Sequence, residues 1–269
     1  MRVIVCGLAA CLVFAATARA DMSGGKIKIG VLTDLSGPYE QNSGAGSVEA
    51  AKMAAEEFGN KVNGVPVEIV SADHQNKPDI GAAIARRWFD LDGVDAVTDL
   101  VNSAVGFAVL EIAKADNKAV LLTSAGSADF TGKACAPNNS VHWVYDSYEI
   151  GSAIGQALPQ LGKTWFFITA DYVFGRALQD GASAFIEKNG GKVVGSVRTP
   201  LGTTDYSSFM LQARLRRRRS SRWRMAATTP STRSRAHASS ASPTSRKWFH
   251  SASTRCRPSA PPACSWRKV

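Results

Sequence analysis

The sequence predicts an α/β protein with a largely parallel sheet that is covered by helices on both faces. Two observations carry this prediction. Short apolar stretches with alternating side chains recur along residues 26–200, and the segments between them have apolar positions at helical spacing. Strict alternation of such strands and helices is typical of parallel sheets, because the crossover connections place helices on the two faces.

The first strand and helix are the clearest elements. In KIKIGVLTDLSG, Ile27, Ile29 and Val31 alternate with polar or small neighbours before a Ser-Gly-Pro turn. An Ala-rich stretch over residues 43–58 follows with apolar positions at helical spacing, and a Gly-Asn pair ends it. We therefore predict a strand followed by an amphipathic helix.

The remaining elements repeat this alternation. A proline opens the second predicted helix, where its missing N–H costs nothing. The predicted strands are VPVEIVSAD, VDAVTDL, residues 118–123, TWFFITA and KVVGSVRT, and the predicted helices span residues 78–88, 104–115, 147–158 and 174–188.

Residues 1–20 have the features of a cleaved secretory signal peptide. Arg2 precedes an apolar run over residues 3–16, and Ala18-Arg19-Ala20 supplies the small residues of a cleavage site. A lipoprotein cleavage box at residues 8–11 is the less favoured alternative, because very few apolar residues precede it. No later stretch approaches the roughly 18 apolar residues of a membrane helix. We expect an exported protein.

Residues 214–269 differ sharply in charge from the rest of the chain. They hold 15 of the 32 Lys and Arg residues and no Asp or Glu, which leaves 17 basic against 22 acidic residues in 1–213, a net charge of −5. A basic arm for nucleic acid or a membrane surface is one interpretation. An exported protein meets no genome, however, so we expect no nucleic-acid partner.

A second interpretation is that this basic tail is read out of frame. Residues 215–221, LRRRRSS, have synonymous codons that give ASKAKVV when they are read one base earlier. The same shift turns residues 222–234 into ALANGGDDTINSI and residues 240–249 into GITDKSQVV, which contain a plausible strand, loop and helix start. The encoded tail has too few aliphatic residues to offset chain ordering, so we predict that it is disordered.

Catalytic and metal-binding patterns are scarce. The chain contains no G-x-S-x-G elbow, Walker loop or H-E-x-x-H sequence. His74 and His142 are far apart in sequence, and Asp73 at a strand end is better explained as a turn-forming or capping carboxylate. Cys135 is the only cysteine between residues 12 and 255, so we expect an inert thiol and no disulfide framework. We predict no enzymatic activity, no cofactor and no metal.

The predicted strand ends carry small hydroxyls, amides and aromatic residues. In open α/β sheets, ligands bind beyond the carboxyl ends of the strands. The loops concerned are DLSG (34–37), DHQ (73–75), VNS (101–103), SAGS (124–127) and DYVF (171–174). Such side chains are suited to binding a small molecule.

Six stretches in order give the chain a family resemblance. KIKIGVLTDLSGPY, VEAAKMAAEEFG, NGVPVEIVSADHQNKPDIGAAIARRW, AVLLTSAGSADFTGKACAPNNSVHWVYDS, ITADYVFGRALQDG and TTDYSSFMLQA resemble periplasmic branched-chain amino-acid binding proteins, the type I solute receptors of ABC importers. The likeness covers about residues 26–213. It implies two Rossmann-like lobes with parallel sheets and a solute held between them, the second lobe being incomplete here.

The resemblance also implies which residues contact the solute. In the first lobe these are Ser103 and the loop that contains Ser124, Gly126 and Ser127, whose hydroxyls and backbone N–H groups would hold carboxylate and ammonium groups. Asn42 stands where the family often has an aromatic residue, which puts aliphatic amino-acid specificity in doubt. In the second lobe, Tyr172 and Phe174 would stack over the solute.

These features predict a domain order and a function. We expect a signal peptide at 1–20, a first lobe at 21–145, the start of a second lobe at 146–213 and the basic tail at 214–269. The resemblance implies a periplasmic receptor that delivers an amino acid or related small carboxylate to an ABC-importer permease, with impaired binding in this chain. An extracytoplasmic sensory domain and, less favoured, an exported α/β hydrolase are the alternatives.

Overall fold

The structure is a computed structural model that describes residues 25–217 and 224–228. The strands are β1 (Ile27–Thr33), β2 (Lys61–Val62), β3 (Val65–Asp73), β4 (Ala96–Asp99), β5 (Ala119–Leu122), β6 (Ser140–His142), β7 (Thr164–Ala170), β8 (Lys192–Thr199) and β9 (Arg224–Thr228). The helices are α1 (Gly44–Glu57), α2 (Pro78–Asp90), α3 (Ser103–Ala115), α4 (Ser147–Leu161), α5 (Val173–Lys188) and α6 (Ser207–Arg217), with a short 3-10 helix at Ala128–Phe130.

The first lobe is built on a six-stranded sheet in the order β2-β3-β1-β4-β5-β6. Every pairing is parallel except that of β2 with β3, which is a short antiparallel hairpin. β1 lies in the middle, where Ile29 pairs with Ile69 of β3 and with Ala96 of β4. The parallel α/β architecture expected from the alternation of elements is confirmed.

Two helices cover one face of this sheet. α2 begins with Pro78 and packs against α3, and Trp88 of α2 lies directly over Gly30 of β1, where no other side chain would fit beside the indole. The buried core lies between these helices and the sheet, so burial of apolar surface is the main stabilising contribution to this lobe. The core includes Leu32, Val97, Leu100, Val105, Val109, Leu110, Val120, Leu122 and Phe130.

The second lobe contains a three-stranded parallel sheet in the order β8-β7-β9. β7 lies in the centre, and six of its seven residues are buried. α4 and α5 pack closely because α4 presents glycines: a Cβ built on Gly151 would lie 3.0 Å from the backbone nitrogen of Ala182. Two small core clusters lie on the two faces of β7, one around Trp165 and Ile186, the other around Phe166.

The structure adds short elements that the sequence did not reveal. β2 and β6 have two and three residues, too few to show a strand period. Two parts of the tail that we predicted to be disordered lie in regular secondary structure, because α6 continues to Arg217 and β9 pairs with β7. β9 contains the Arg-free run MAAT, and strand pairing is made by backbone groups that need no apolar side chain. Residues 1–24, 218–223 and 229–269, which hold the predicted signal peptide and the rest of the tail, lie outside the described residues.

The expectation that Cys135 is an inert thiol is wrong. Cys135 is disulfide-bonded rather than a free thiol, and no other cysteine lies in residues 25–217 or 224–228. The error arose because the partner of a cysteine cannot be read from sequence spacing alone. Among the helices of the described segments, none has both the length and the apolar character that a membrane crossing requires.

Candidate functional site

Four loops of the first lobe converge at the carboxyl ends of its parallel strands. They follow β1, β3, β4 and β5, and each places a polar side chain in a buried or half-buried position. These side chains are Asp34, His74, Asn102 and Ser124. The loops that were predicted to form a binding edge therefore lie side by side, as the parallel topology requires.

Ser103 is the first residue of α3 and is fully buried. Its Oγ makes no hydrogen bond to any described residue. The side chain of Asn102 caps the helix by accepting a hydrogen bond from the N–H of Ala104 at 2.9 Å. A helix N-terminus carries a partial positive charge and free N–H groups. The unpaired hydroxyl and this helix end together form an arrangement suited to an anionic group.

The loop after β5 lies beside the start of α3. The Ser124 hydroxyl donates a hydrogen bond to the carboxylate of Asp99, and the Gly126 carbonyl accepts the N–H of Ser147 at 2.7 Å. Ser127 is fully buried, and its Oγ accepts the N–H of Asp129 at 3.3 Å, which caps the 3-10 helix. Ser124 and Ser127 thus already have structural partners, whereas the hydroxyl of Ser103 has none among the described residues.

Asp99 supports this loop from the end of β4. Burial raises the pKa of its carboxyl, and the hydrogen bond from Ser124 partly opposes that shift. Asp99 and Leu100 both have a positive φ, of 80° and 60°, a conformation that costs energy for residues with a Cβ. The strand therefore ends in a strained turn immediately before the loop that carries Ser103.

The second lobe reaches this edge through its α5 loop. A Cβ built on Gly126 would lie 2.7 Å from the ring of Phe174, so the missing side chain of Gly126 leaves the space that this ring needs. The ring of Tyr172 lies 6.1 Å from that of Phe174, measured between centroids. Burial raises the pKa of Tyr172 to about 12. Both predicted aromatic residues therefore lie at the boundary between the lobes.

Tyr39 is a candidate that the sequence analysis did not identify. It is 4% exposed, and its ring lies 6.1 Å from that of Tyr172 in the other lobe. Burial and the interaction with the nearby phenol of Tyr172 raise its pKa. Tyr39 could have been recognised as a candidate only from the way in which the loops converge in the structure.

Asn42 does not join this group of side chains. It is exposed in the turn before α1, where its backbone N–H donates to the carbonyl of Tyr39 at 2.9 Å. The structure thus brings Ser103, Ser124, Gly126, Ser127, Tyr172 and Phe174 to one edge, and leaves Asn42 at its rim.

One cluster of possible metal ligands lies at the same edge. Single ligand atoms of Asp34, Asp73 and His74 lie within 4.8 Å of one another. Both carboxylates already accept hydrogen bonds from N–H or O–H donors, and the His74 Nδ1 accepts the N–H of Asn76 at 3.0 Å. A cation would have to displace these donors, so the donor set does not favour one.

The ionisation of this cluster agrees with a structural role. Burial lowers the pKa of His74, and the carboxylates of Asp34 and Asp99 oppose the shift. Partial burial acts against ionisation of Asp73, but hydrogen bonds from Ser36 and from backbone N–H groups lower its pKa overall. His74 is therefore neutral at pH 7, with its proton on Nε2, because Nδ1 acts as an acceptor.

Comparisons with known proteins agree with this architecture. The chain is 28% identical over 214 residues to "Leu/Ile/Val-binding protein homolog 6" of Brucella abortus, and covers 52% of that protein. It is similar to a periplasmic binding protein of Burkholderia mallei, with 45% identity, a TM-score of 0.69, and coverage of 72% of this chain and 52% of the other.

A further solved structure is an ABC-transporter solute-binding protein from Rhodopseudomonas palustris in complex with p-hydroxybenzoic acid. It is 26% identical with a TM-score of 0.62, and the match covers 71% of this chain and 51% of that one. The chain thus spans about half the length of the relatives it matches. Residues 26–217 match the family described as periplasmic binding protein, whose members bind solutes and are not enzymes. The chain belongs to the periplasmic binding protein family.

Proposed function

We propose that the chain is an extracytoplasmic solute receptor that binds an amino acid or a related small carboxylate between its lobes and presents it to an ABC-importer permease. The signal peptide predicted at residues 1–20 would direct it to the periplasm. The names of the Brucella and Rhodopseudomonas relatives support amino acids and aromatic acids as the two solute classes to examine first.

The observation that carries this proposal is the buried hydroxyl of Ser103 at the N-terminus of α3, which has no hydrogen-bond partner in the described part of the chain. A buried polar group without a partner is costly, so a ligand that supplies the missing hydrogen bond is favoured. A carboxylate accepts from both the hydroxyl and the helix N–H groups. Tyr39, Tyr172 and Phe174 then supply an aromatic wall for the rest of the solute.

The described part of the second lobe contributes few groups to the proposed site besides the aromatic side chains of Tyr172 and Phe174. Within the described residues its sheet has three strands. On the basis of these described elements we expect weak binding, with a Kd on the order of millimolar. A change of reading frame close to residue 213 remains our explanation for the basic tail, and sequencing of the gene would test it.

The test is an NMR titration of the full chain with L-leucine and with benzoate. One of the two should give saturable shifts, and Ser103→Ala should weaken that binding by about tenfold or more, because a hydrogen bond to a charged group is lost. Ser208→Ala is the matched control, since Ser208 is an exposed serine in the first turn of α6.

Two results would contradict the proposal. One is the absence of saturable shifts with either probe. The other is binding that is equally strong in the wild-type chain and in Ser103→Ala, because the carboxylate would then be held elsewhere.

A further inference from the structure

We propose that Asn76 is a positioning residue for the solute site, because its amide joins the loop after β1 to the start of α3. This inference rests on the proposed solute site at Ser103. Asn76 does not itself belong to the set of residues expected to contact the solute. Its role would be to hold the α3 start and the Tyr39 loop in fixed relative positions.

The backbone at Asn76 is the first observation. Gln75 and Asn76 have φ values of 52° and 55°, so two consecutive residues with a Cβ adopt the left-handed conformation. Asn tolerates this conformation better than most residues because its short side chain can form local hydrogen bonds. The Asn76 N–H is fixed by the ring of His74, to which it donates. This strained turn directs the Asn76 side chain toward its two partners.

The side-chain amide of Asn76 bridges two other loops. Its Nδ2 donates a hydrogen bond to the Asp34 carboxylate, and its Oδ1 accepts one from the Asn102 amide at 3.3 Å. Asn102 in turn caps α3 through the N–H of Ala104. The amide is thus linked by hydrogen bonds to the residues that flank Ser103.

The same bridge reaches the aromatic wall. Asp34 is fully buried and accepts the N–H groups of Gly37 and Tyr39 at 2.9 and 2.8 Å. No cation forms an ion pair with Asp34 within the described segments, so neutral donors hold this carboxylate. The amide of Asn76 is the donor that comes from outside the Asp34 turn. Without the Asn76 amide, the loop that contains Tyr39 would no longer be linked by hydrogen bonds to Asn102 at the start of α3.

The space around the bridge is closely filled. A Cβ built on Gly37 would lie 2.6 Å from Asp34 Oδ1 and 2.8 Å from Asn76 Nδ2. The φ of Gly37 lies outside the left-handed region, so alanine there would be a steric change only. Gly37→Ala therefore offers a second way to disturb the same bridge without altering Asn76.

The test compares Asn76→Gly with Gln75→Gly in the full chain. Glycine accepts the left-handed backbone at both positions, but Gln75 is exposed and its side chain takes no part in this bridge. Hydrogen exchange should speed up about tenfold or more at residues 35–39 and 102–105 in Asn76→Gly, in Gly37→Ala as well, and not in Gln75→Gly. Equal protection in wild type and Asn76→Gly would overturn the inference, whatever the solute.

A pH profile separates positioning from a general loss of structure. Asn76→Asp places a second carboxylate against that of Asp34, and two adjacent carboxylates share a proton at low pH. Protection of residues 102–105 should be poor at pH 7 and recover below about pH 5 in Asn76→Asp, with no such recovery in Asn76→Gly. The absence of any difference between the two profiles would contradict the proposed bridge.

Solute binding provides the last comparison. With benzoate and L-leucine as probes, the variant that loses protection should also bind more weakly than wild type by about tenfold. Weaker binding in Asn76→Gly with unchanged exchange would indicate direct contact with the solute and overturn the positioning role. If neither probe binds wild type, the proposed function fails, while the exchange experiment still decides the role of Asn76.

Discussion

The two lobes differ in the size of their sheets and of their buried cores. The first lobe has a six-stranded sheet and one continuous core cluster whose members run from Leu32 to Ala136. In the part of the chain that the structure describes, the second has a three-stranded sheet with two separate, smaller clusters, and β8 and β9 are its outer strands. Small cores and open edges give little stability and favour association with other chains.

This difference assigns separate roles to the lobes. Ser103, whose hydroxyl has no partner among the described residues, and the bridge through Asn76 belong entirely to the first lobe, so the proposed polar anchor does not need the second lobe. The second lobe supplies Tyr172 and Phe174, which we propose cover this anchor. The binding edge should therefore remain ordered under conditions in which the second lobe has already lost its structure.

The largest expected effect is in the first-lobe core. Leu110→Ala should lower the free energy of unfolding by about 3–5 kcal/mol, because Leu110 is fully buried and its truncation leaves a cavity. Leu91→Ala is the control, since Leu91 is 80% exposed, and should change stability by less than about 0.5 kcal/mol. Urea denaturation checks both values. Similar small effects for the two variants would show that the first lobe is not packed as described.

A matched truncation in the second lobe should have a smaller and more local effect. Ile186→Ala should cost about 2–4 kcal/mol, because Ile186 is fully buried in a cluster of few residues. Hydrogen exchange should accelerate in β7, α4 and α5 and stay unchanged in β1 and β4. Equal acceleration in both lobes would mean that they unfold as one unit, and the proposed division of roles would be wrong.

The contact between the lobes should give the next effect. Gly126→Ala should destabilise their contact by about 1–3 kcal/mol, because the new methyl group would overlap the ring of Phe174. The change should be visible as a larger radius of gyration in small-angle scattering. Adding Phe174→Ala should cancel most of the effect in a double-mutant cycle. Purely additive effects would place Phe174 away from Gly126 in solution.

The smallest effect concerns pH and the first lobe. The pKa of His74 is lowered by burial, so its stabilising contribution is complete above about pH 6.5 and is lost as the pH falls toward its folded pKa. Asp99 acts in the opposite direction, because its raised pKa gives a contribution that is lost as the pH rises. As the pH falls below about 6.5, wild type should lose stability relative to His74→Asn.

Urea denaturation at several pH values measures this difference. The stability curves of wild type and His74→Asn should run parallel between pH 7 and 8, where His74 is neutral in both the folded and the unfolded states. Curves that stay parallel down to pH 5 would show that His74 is not buried as a neutral ring.

The longer elements of the fold could be predicted because their periods extend over several residues. β3 was predicted with its observed bounds, and α2 within two residues at its end. β2 and β6 could not be predicted from the sequence, since their pairing depends on neighbouring strands rather than on a local pattern. The pairing of β9 with β7 has the same origin, because strand pairing is made by backbone groups and does not depend on the composition of the segment.

The candidate site shows a similar division. Ser103, Ser124 and Phe174 were predicted because the resemblance fixes their loops along the chain. Tyr39 and Asn76, which we add as candidates, could not be found from the sequence, because the contacts that point to them join loops about 40 residues or more apart. The state of Cys135 depended on a partner that spacing does not identify.

The most direct test of the central claim is residue-resolved NMR mapping of the full chain with benzoate and with L-leucine. We predict that the largest amide shift changes occur at residues 102–105 and 124–127, with smaller ones at 172–174, and that Ser103→Ala reduces them. Shift changes centred away from the α3 start, or unchanged in Ser103→Ala, would contradict the claim that the first lobe carries the solute anchor.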